Sequence, residues 1–272
     1  MTLLTVNHLC VTEPHTGNRL ISDVSFNLAE NECLAIVGES GCGKSMICHA
    51  ILGLVTPSLN VQGDICFRGQ SRQDMKAAQW SQLRGCQLGM VMQDAMSAFD
   101  PLYTIGSQIA ETLLAHGRYS PAQLQVKTHA MMEQVQLRHP AEICKKYPHQ
   151  LSGGMLQRVM IALTLALKPD VIIADEPTTA LDCITQYEVI ELFIRLRQQT
   201  ASSMIFVSHD LAVVRRIAQR ILVMKEGQVV ESGLTEQIFC HPQHPYTQYL
   251  VETRTALSRR FNQIMDRSNH AR

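Results

Sequence analysis

No stretch of this sequence is long and apolar enough to cross a bilayer. The longest apolar runs, around Ile161–Leu167 and Val171–Ala174, fall far short of the roughly 20 residues a spanning helix needs. A disulfide framework and a zinc site are equally unsupported. The nine cysteines are odd in number and scattered, with no C-x-x-C pair. Thiols packed as small apolar residues in a reducing compartment are the expectation. The first residues, Met1-Thr2-Leu3-Leu4-Thr5-Val6-Asn7, carry neither a basic n-region nor a long apolar h-region, so no signal peptide is expected. The reading is a soluble protein, for which any membrane role must come through a partner. Charge of one sign is also lacking: 24 Lys+Arg balance 24 Asp+Glu. That balance argues against a nucleic-acid binder, which shows a basic excess or stripe. The one local bias is the tail, with Arg254, Arg259, Arg260, Arg267 and Arg272, read as a solvated terminus. Repeats, low-complexity segments and heptads are absent.

What is there is a chain of 272 residues, 46% apolar, enough for one large α/β domain or two modest ones. Residues 1–35 alternate apolar and polar, as in Val24-Ser25-Phe26-Asn27-Leu28, which predicts half-buried antiparallel strands. Leu34-Ala35-Ile36-Val37 is wholly apolar and reads as a buried parallel strand feeding a turn at Gly38. A helix is predicted over Lys44–Leu54. A strand pair is predicted over 61–69, with Gly63 and Gly69 as turn residues, and a buried strand over Met90-Val91-Met92. From about 97 to 150 apolar residues recur at helical spacing, in Ile105–Leu114 and Leu124–Val135, predicting a helical insertion of about sixty residues. Strands at Val171–Ala174, Met204–Val207 and Ile221–Met224 then alternate with helices at 184–199 and 211–219. Such alternation predicts a mostly parallel sheet covered on both faces.

The strongest local signal is G-x-x-x-x-G-K-S: Gly38-Glu39-Ser40-Gly41-Cys42-Gly43-Lys44-Ser45. Glycines let backbone wrap a phosphate, N–H groups point inward, and the following helix adds its positive end. Lys44 suits the β- and γ-phosphates and Ser45 suits Mg²⁺. A Gly-rich turn by coincidence is the bland alternative, and placement between a buried strand and a helix counts against it. The second signal is Val171-Ile172-Ile173-Ala174-Asp175-Glu176, a buried strand with two carboxylates at its C-terminal end, where ligands of open α/β sheets bind. Asp175 would hold Mg²⁺ through water, and Glu176 is the candidate general base or water-positioning residue. The third is Leu151-Ser152-Gly153-Gly154-Met155-Leu156-Gln157-Arg158, which opens a helix with Ser152 as N-cap. That is a second anion site in a chain that already has a phosphate loop. It suggests that a second copy supplies one half of each site.

On these motifs the chain resembles the nucleotide-binding subunit of ABC transporters, over nearly its whole length. The resemblance implies a P-loop NTPase fold. Its RecA-like parallel-sheet core with an antiparallel β-subdomain would span 1–93 and 159–235. The helical signature subdomain would span 94–158, and a C-terminal segment 236–272. It implies that Leu151–Arg158 is the ABC signature, with Ser152, Gly153 and Gly154 contacting ATP held by the partner subunit. Gln93 is the Q-loop glutamine that senses Mg²⁺ and couples to the membrane domain, and Ala180-Leu181-Asp182 is the D-loop. His209, after Ile205-Phe206-Val207, is the switch histidine on the γ-phosphate. Where the family stacks adenine on an aromatic ring, spacing points to His15, in a stretch without Tyr, Phe or Trp.

Met92–Pro101 and the tail segment His241-Pro242-Gln243-His244-Pro245-Tyr246-Thr247 are similar to the oligopeptide, dipeptide and nickel importer branch. Cys240, His241 and His244 could suggest a metal site, but the interleaved prolines favour a structural docking turn. Ser97-Ala98-Phe99 and Ser152–Arg158 look most like the D-type nickel-import subunit, and the chain stops soon after the His-Pro-Tyr segment, without the cysteine-bearing extension common in peptide-import subunits. The resemblance therefore implies an ATPase using ATP and Mg²⁺ for import of nickel or a nickel–metallophore complex, with dipeptide or oligopeptide import as the alternative. Implied partners are a second ATPase subunit (a different chain, or a second copy), two permeases, and a periplasmic or lipid-anchored binding protein. Nucleic acid is not among them. The implied location is the cytoplasmic face of the bacterial inner membrane. Two rival readings fit less well: a soluble ABC ATPase acting on DNA or the ribosome, for which a second cassette or long coiled coil is missing, and a P-loop kinase, which leaves Leu151–Arg158 without a purpose.

Overall fold

The computed structural model describes residues 1–179, 181–199 and 202–253. Ala180 and the basic tail from Arg254 to Arg272 lie outside the described residues. The strands are β1 (Thr2–Thr12), β2 (Arg19–Ala29), β3 (Cys33–Val37), β4 (Asn60–Phe67), β5 (Gln70–Ser71), β6 (Leu88–Val91), β7 (Val171–Asp175), β8 (Ser203–Val207), β9 (Arg220–Lys225) and β10 (Gln228–Leu234). The helices are α1 (Lys44–Leu52), α2 (Ala77–Leu83), α3 (Ala95–Ala98), α4 (Ile105–His116), α5 (Pro121–Gln134), α6 (Pro140–Ile143), α7 (Gly153–Ala166), α8 (Cys183–Gln199), α9 (Leu211–Ile217) and α10 (Thr235–Cys240). A further helix covers 245–253.

Two sheets organise the chain. A four-stranded antiparallel sheet has the order β2-β1-β4-β5, and a six-stranded sheet has the order β10-β9-β3-β8-β7-β6. The larger sheet is parallel except for β10, which returns antiparallel to β9. Every residue of β3, β7 and β8 is buried. This is why these strands are unbroken apolar runs: both faces are covered. Because side chains alternate across a strand, each one divides its residues between two cores. Cys33, Ala35 and Val37 of β3, Ile172 and Ala174 of β7, and Met204 and Phe206 of β8 pack with α7, α8, α9 and the helical insertion. Leu34 and Ile36, Val171 and Ile173, and Ile205 and Val207 pack with α1 and the antiparallel sheet.

The predicted elements recur with small shifts, and four differences are informative. Gly63 is not a turn residue. It sits inside β4 at φ 98°, opposite an irregularity of β1 between Asn7 and Cys10, and a Cβ there would lie 2.4 Å from the His8 carbonyl oxygen. Glycine is required by this bulge rather than by a turn. Helix α2 and strand β10 escaped the sequence reading because both are short and only partly buried, so neither shows a clear apolar period. The cysteines also divide: Cys33, Cys42 and Cys48 are buried, whereas Cys86 and Cys240 are exposed. The insertion and the parallel sheet share α7, which runs unbroken across residues 158 and 159. Among the described residues no helix is long and apolar enough to cross a membrane.

Candidate active site

Strand register brings the site together. Ile36 pairs with Val207, Val207 with Asp175, and Ala174 with Val91. The four strands therefore end in one row, and the residues one or two steps beyond each end become neighbours. Those residues are Gly38 after β3, Gln93 after β6, Glu176 after β7 and His209 after β8. All were named from sequence, and they line one continuous concavity. A cavity of about 450 Å³ is walled by Ser40, Gly41, Gly43, Lys44, Ser45, Gln93 and Glu176, with Arg19 and Leu20 of β2. A cavity of about 350 Å³ beside it is walled by Gly38, Glu39, Ser40, Gln93, Glu176, Thr179, His209 and Leu250.

The phosphate loop is shaped by close approaches. A Cβ on Gly38 would lie 2.3 Å from the Met224 carbonyl oxygen and 2.7 Å from Cys42 Sγ, so no larger residue fits. Gly43, at φ 102°, is the N-cap of α1, whose first turn contains no acidic residue to compete for an anion. Lys44 is 4% exposed, and its ammonium donates to the carbonyls of Gly38 at 3.0 Å and Glu39 at 2.9 Å. Burial raises the pKa of the Cys42 thiol, with the Lys44 charge acting against it. Cys42 therefore stays a neutral thiol and serves as a small apolar residue.

Glu176 is the centre of the arrangement. Its φ of 42° is left-handed, an unusual conformation for a residue with a side chain, and its N–H donates to the Val207 carbonyl at 3.1 Å. The carboxylate is placed between three groups. Oε1 lies 3.5 Å from Lys44 Nζ, Oε2 lies 3.4 Å from His209 Nδ1, and Oε2 accepts from Thr179 Oγ1 at 2.9 Å. A carboxylate held in this way has the geometry to orient or deprotonate a water. Thr179 was not singled out from sequence. Its only signal is its place three residues beyond Glu176, where the turn brings their side chains together.

Ser45 Oγ donates to Asp175 Oδ1 at 3.0 Å. Burial raises the Asp175 pKa, opposed by the Ser45 hydrogen bond and the Lys44 charge. A hydroxyl, a carboxylate and the nearby Gln93 amide form an all-oxygen donor set, which suits a hard cation such as Mg²⁺.

Two sequence expectations fall elsewhere. His15 is exposed in the turn between β1 and β2 and lines neither cavity. Ser152, Gly153 and Gly154 form the start of α7, where Ser152 Oγ accepts from the Met155 N–H at 3.3 Å. Among the described residues, neither cavity takes a wall from them. The helix is nevertheless tied to the site: the buried Gln157 donates from Nε2 to the Met92 carbonyl at 3.3 Å, one residue before Gln93. The tail segment forms a docking turn. His244 Nδ1 accepts from the Tyr246 N–H at 3.2 Å, and Tyr246 reaches the phosphate loop.

The ABC transporter family matches residues 21–179. The chain is 48% identical over 265 residues to the metal-staphylopine import system ATP-binding protein CntD of Staphylococcus aureus, covering 97% of this chain and 98% of that protein. It is 41% identical over 253 residues to the dipeptide transport ATP-binding protein DppD of Bacillus subtilis, covering 92% of this chain and 76% of that one. A solved dimeric ATP-binding cassette in a post-hydrolysis state, bound to ADP and Pi, superposes with a TM-score of 0.76 at 26% identity, covering 86% of this chain and 99% of that one.

Proposed function

The chain belongs to the ABC transporter family, and on that premise we propose that it energises an importer for nickel or a nickel–metallophore complex. It is an ATPase of an import system; the proposal concerns its cargo, its partners and the division of labour among its residues. One observation carries the cargo reading: the near full-length match to a protein named for metal-staphylopine import. The match to a dipeptide-transport subunit favours a second reading, dipeptide import. The ATPase does not touch cargo, so the two readings share one site.

In that site the loop N–H groups and the positive end of α1 hold the phosphates, with Lys44 as the nearest cation. Mg²⁺, when bound with ATP, neutralises charge on the phosphate oxygens. Ser45, Asp175 and Gln93 are the residues that would hold it. Glu176 takes a proton from the attacking water, and His209, 3.4 Å from Glu176, fixes the carboxylate and meets the γ-phosphate. Ser152, Gly153 and Gly154 serve the nucleotide of a facing subunit, which their absence from this chain's own cavity supports. Base stacking by His15 would require the β1–β2 turn to move, or a different group to take the adenine. The exposed Met96, Leu102 and Tyr103, around α3 and the start of α4, are the surface offered to two permeases. With a binding protein completing the system, the chain would sit peripherally on the cytoplasmic face of the membrane.

The test is uptake in a strain lacking this chain, restored with the wild type or with Lys44→Ala. Labelled nickel, with and without a metallophore, should enter only with the wild type. Dependence of dipeptide entry, and not metal entry, on the wild-type chain would overturn the metal reading in favour of the peptide one.

A further inference from the structure

The peptide joining Gly38 to Glu39 is gripped from both sides. Its carbonyl accepts from Lys44 Nζ at 3.0 Å on the cavity side. Its N–H donates to the Tyr246 hydroxyl at 3.1 Å on the other. A trans peptide is planar, with C=O and N–H pointing in opposite directions, so fixing one fixes the other. Tyr246 lies 207 residues downstream of Glu39. It opens the helix over 245–253, and its ring is 8% exposed, with Lys225 Nζ 5.4 Å from the ring centre. The turn that presents it is itself anchored. The Glu231 carboxylate of β10 accepts the N–H groups of Gln243 at 2.9 Å and His244 at 3.0 Å. One turn further on, Leu250 walls the cavity shared by His209, Gln93 and Glu176. On its remaining side the loop abuts the Met224 carbonyl. The loop is therefore braced between the end of β9 and the C-terminal helix.

We infer that Tyr246 is a positioning residue for the phosphate loop, its hydroxyl holding the Gly38–Glu39 peptide in the orientation that directs the Gly38 carbonyl onto the Lys44 ammonium. The inference rests on the reading of Gly38–Ser45 as the ATP site. Without the hydroxyl the Glu39 N–H loses its partner, and the peptide is left with the Lys44 contact alone, which holds it less firmly. The loop then spends only part of its time in the binding orientation, and the apparent affinity for ATP falls by that fraction. Once ATP is bound the loop is in the same state as before, so turnover at saturation is retained.

The experiment uses the full chain and Tyr246→Phe, which keeps the ring. ATP is titrated calorimetrically, hydrolysis is followed against ATP concentration, and thermal melting checks the fold. The Kd and KM for ATP should rise by about three- to tenfold, the scale of one lost hydrogen bond, with kcat changed less than about twofold. A folded variant whose Kd and KM rise by less than about threefold, or which loses kcat at unchanged KM, overturns the inference. Should Tyr246→Phe fail to fold, Glu231→Gln carries the test, because it loosens the anchoring turn without touching the loop. A rise in KM supports the inference, and an unchanged KM overturns it. Lys44→Ala separates the two levels. If it binds ATP like the wild type, the reading of the loop itself fails. If it loses ATP while Tyr246→Phe does not, only the role of Tyr246 fails.

Discussion

At the scale of single residues, two adjacent carboxylates at the end of β7 have different surroundings, and in the proposed mechanism these give them opposite tasks. Glu176 reaches past the strand end to Lys44, His209 and Thr179. Glu176→Gln keeps the shape and removes the base. Phosphate release should fall by about 10²–10⁴-fold while ATP binding, measured by equilibrium titration, is kept. Hydrolysis at the wild-type rate would remove Glu176 as the base. Asp175 is buried, and burial raises its pKa against the Ser45 hydrogen bond. Between the ordinary carboxylate value and that raised one, the folded chain keeps a proton that the unfolded chain has released. Stability therefore falls as pH rises through that window, and the penalty persists above it. Asp175→Asn should raise the melting temperature at pH 7 by about 2–4 °C, the shift that about 1 kcal/mol produces in a chain of this size. The gain should shrink in acid, where the wild-type carboxyl is protonated. Mg²⁺-dependent hydrolysis should be lost over the whole pH range. A melting temperature that falls at neutral pH would show that the Asp175 charge is stabilising.

At the scale of elements, α7 joins the helical insertion to the parallel sheet. Gln157 grips the Met92 carbonyl, and Thr164 Oγ1 donates to the Met90 carbonyl at 3.2 Å, so α7 moves with the end of β6. Its two N-terminal glycines are unequal. A Cβ on Gly153 would meet only Leu181 Cδ2, at 3.9 Å, whereas a Cβ on Gly154 would lie 2.3 Å from Thr185 Cγ2 of α8. Thr185 has little freedom to yield, because its hydroxyl is bound to Asp182 Oδ2 at 2.7 Å. Gly154→Ala should therefore cost about 1–3 kcal/mol of stability by overpacking, and Gly153→Ala much less. Parallel thermal melts decide it; equal losses would mean that α7 and α8 do not pack this closely.

At the scale of the whole molecule, the phosphate loop and the α7 start at Ser152, Gly153 and Gly154 do not share either cavity among the described residues. In the proposed mechanism a facing subunit completes each site. If two copies of this chain pair, Lys44→Ala and Ser152→Arg subunits should each be inactive alone. Their mixture should regain activity, because a mixed dimer holds one intact loop facing one intact signature. Random pairing makes that about a quarter of all sites. Activity no greater than the sum of the separate variants would assign the second half of the site to a different subunit. Normal activity of either variant alone would overturn the shared site.

The sequence by itself determined the local structure and named most of the residues that the fold gathers into the candidate site. Apolar runs announced β3, β7 and β8 because strands covered on both faces are built mostly of apolar residues. Gly38–Ser45, Asp175 and Glu176 were legible at the ends of β3 and β7, and Gln93 and His209 through the resemblance to the family. The tertiary structure alone decided what depends on contacts between distant segments. The row formed by Ile36, Val207 and Asp175 follows from strand register, and no single strand encodes its neighbour. Gly63 looked like a turn because the bulge that needs it belongs equally to β1. Thr179 and Tyr246 acquire their roles only through groups that fold onto them, the Glu176 carboxylate in one case and the Glu39 backbone N–H, 207 residues away, in the other. Periodicity and motif spacing report a residue's immediate neighbours along the chain. Hydrogen bonds across the fold are set by packing, which the order of residues specifies only as a whole.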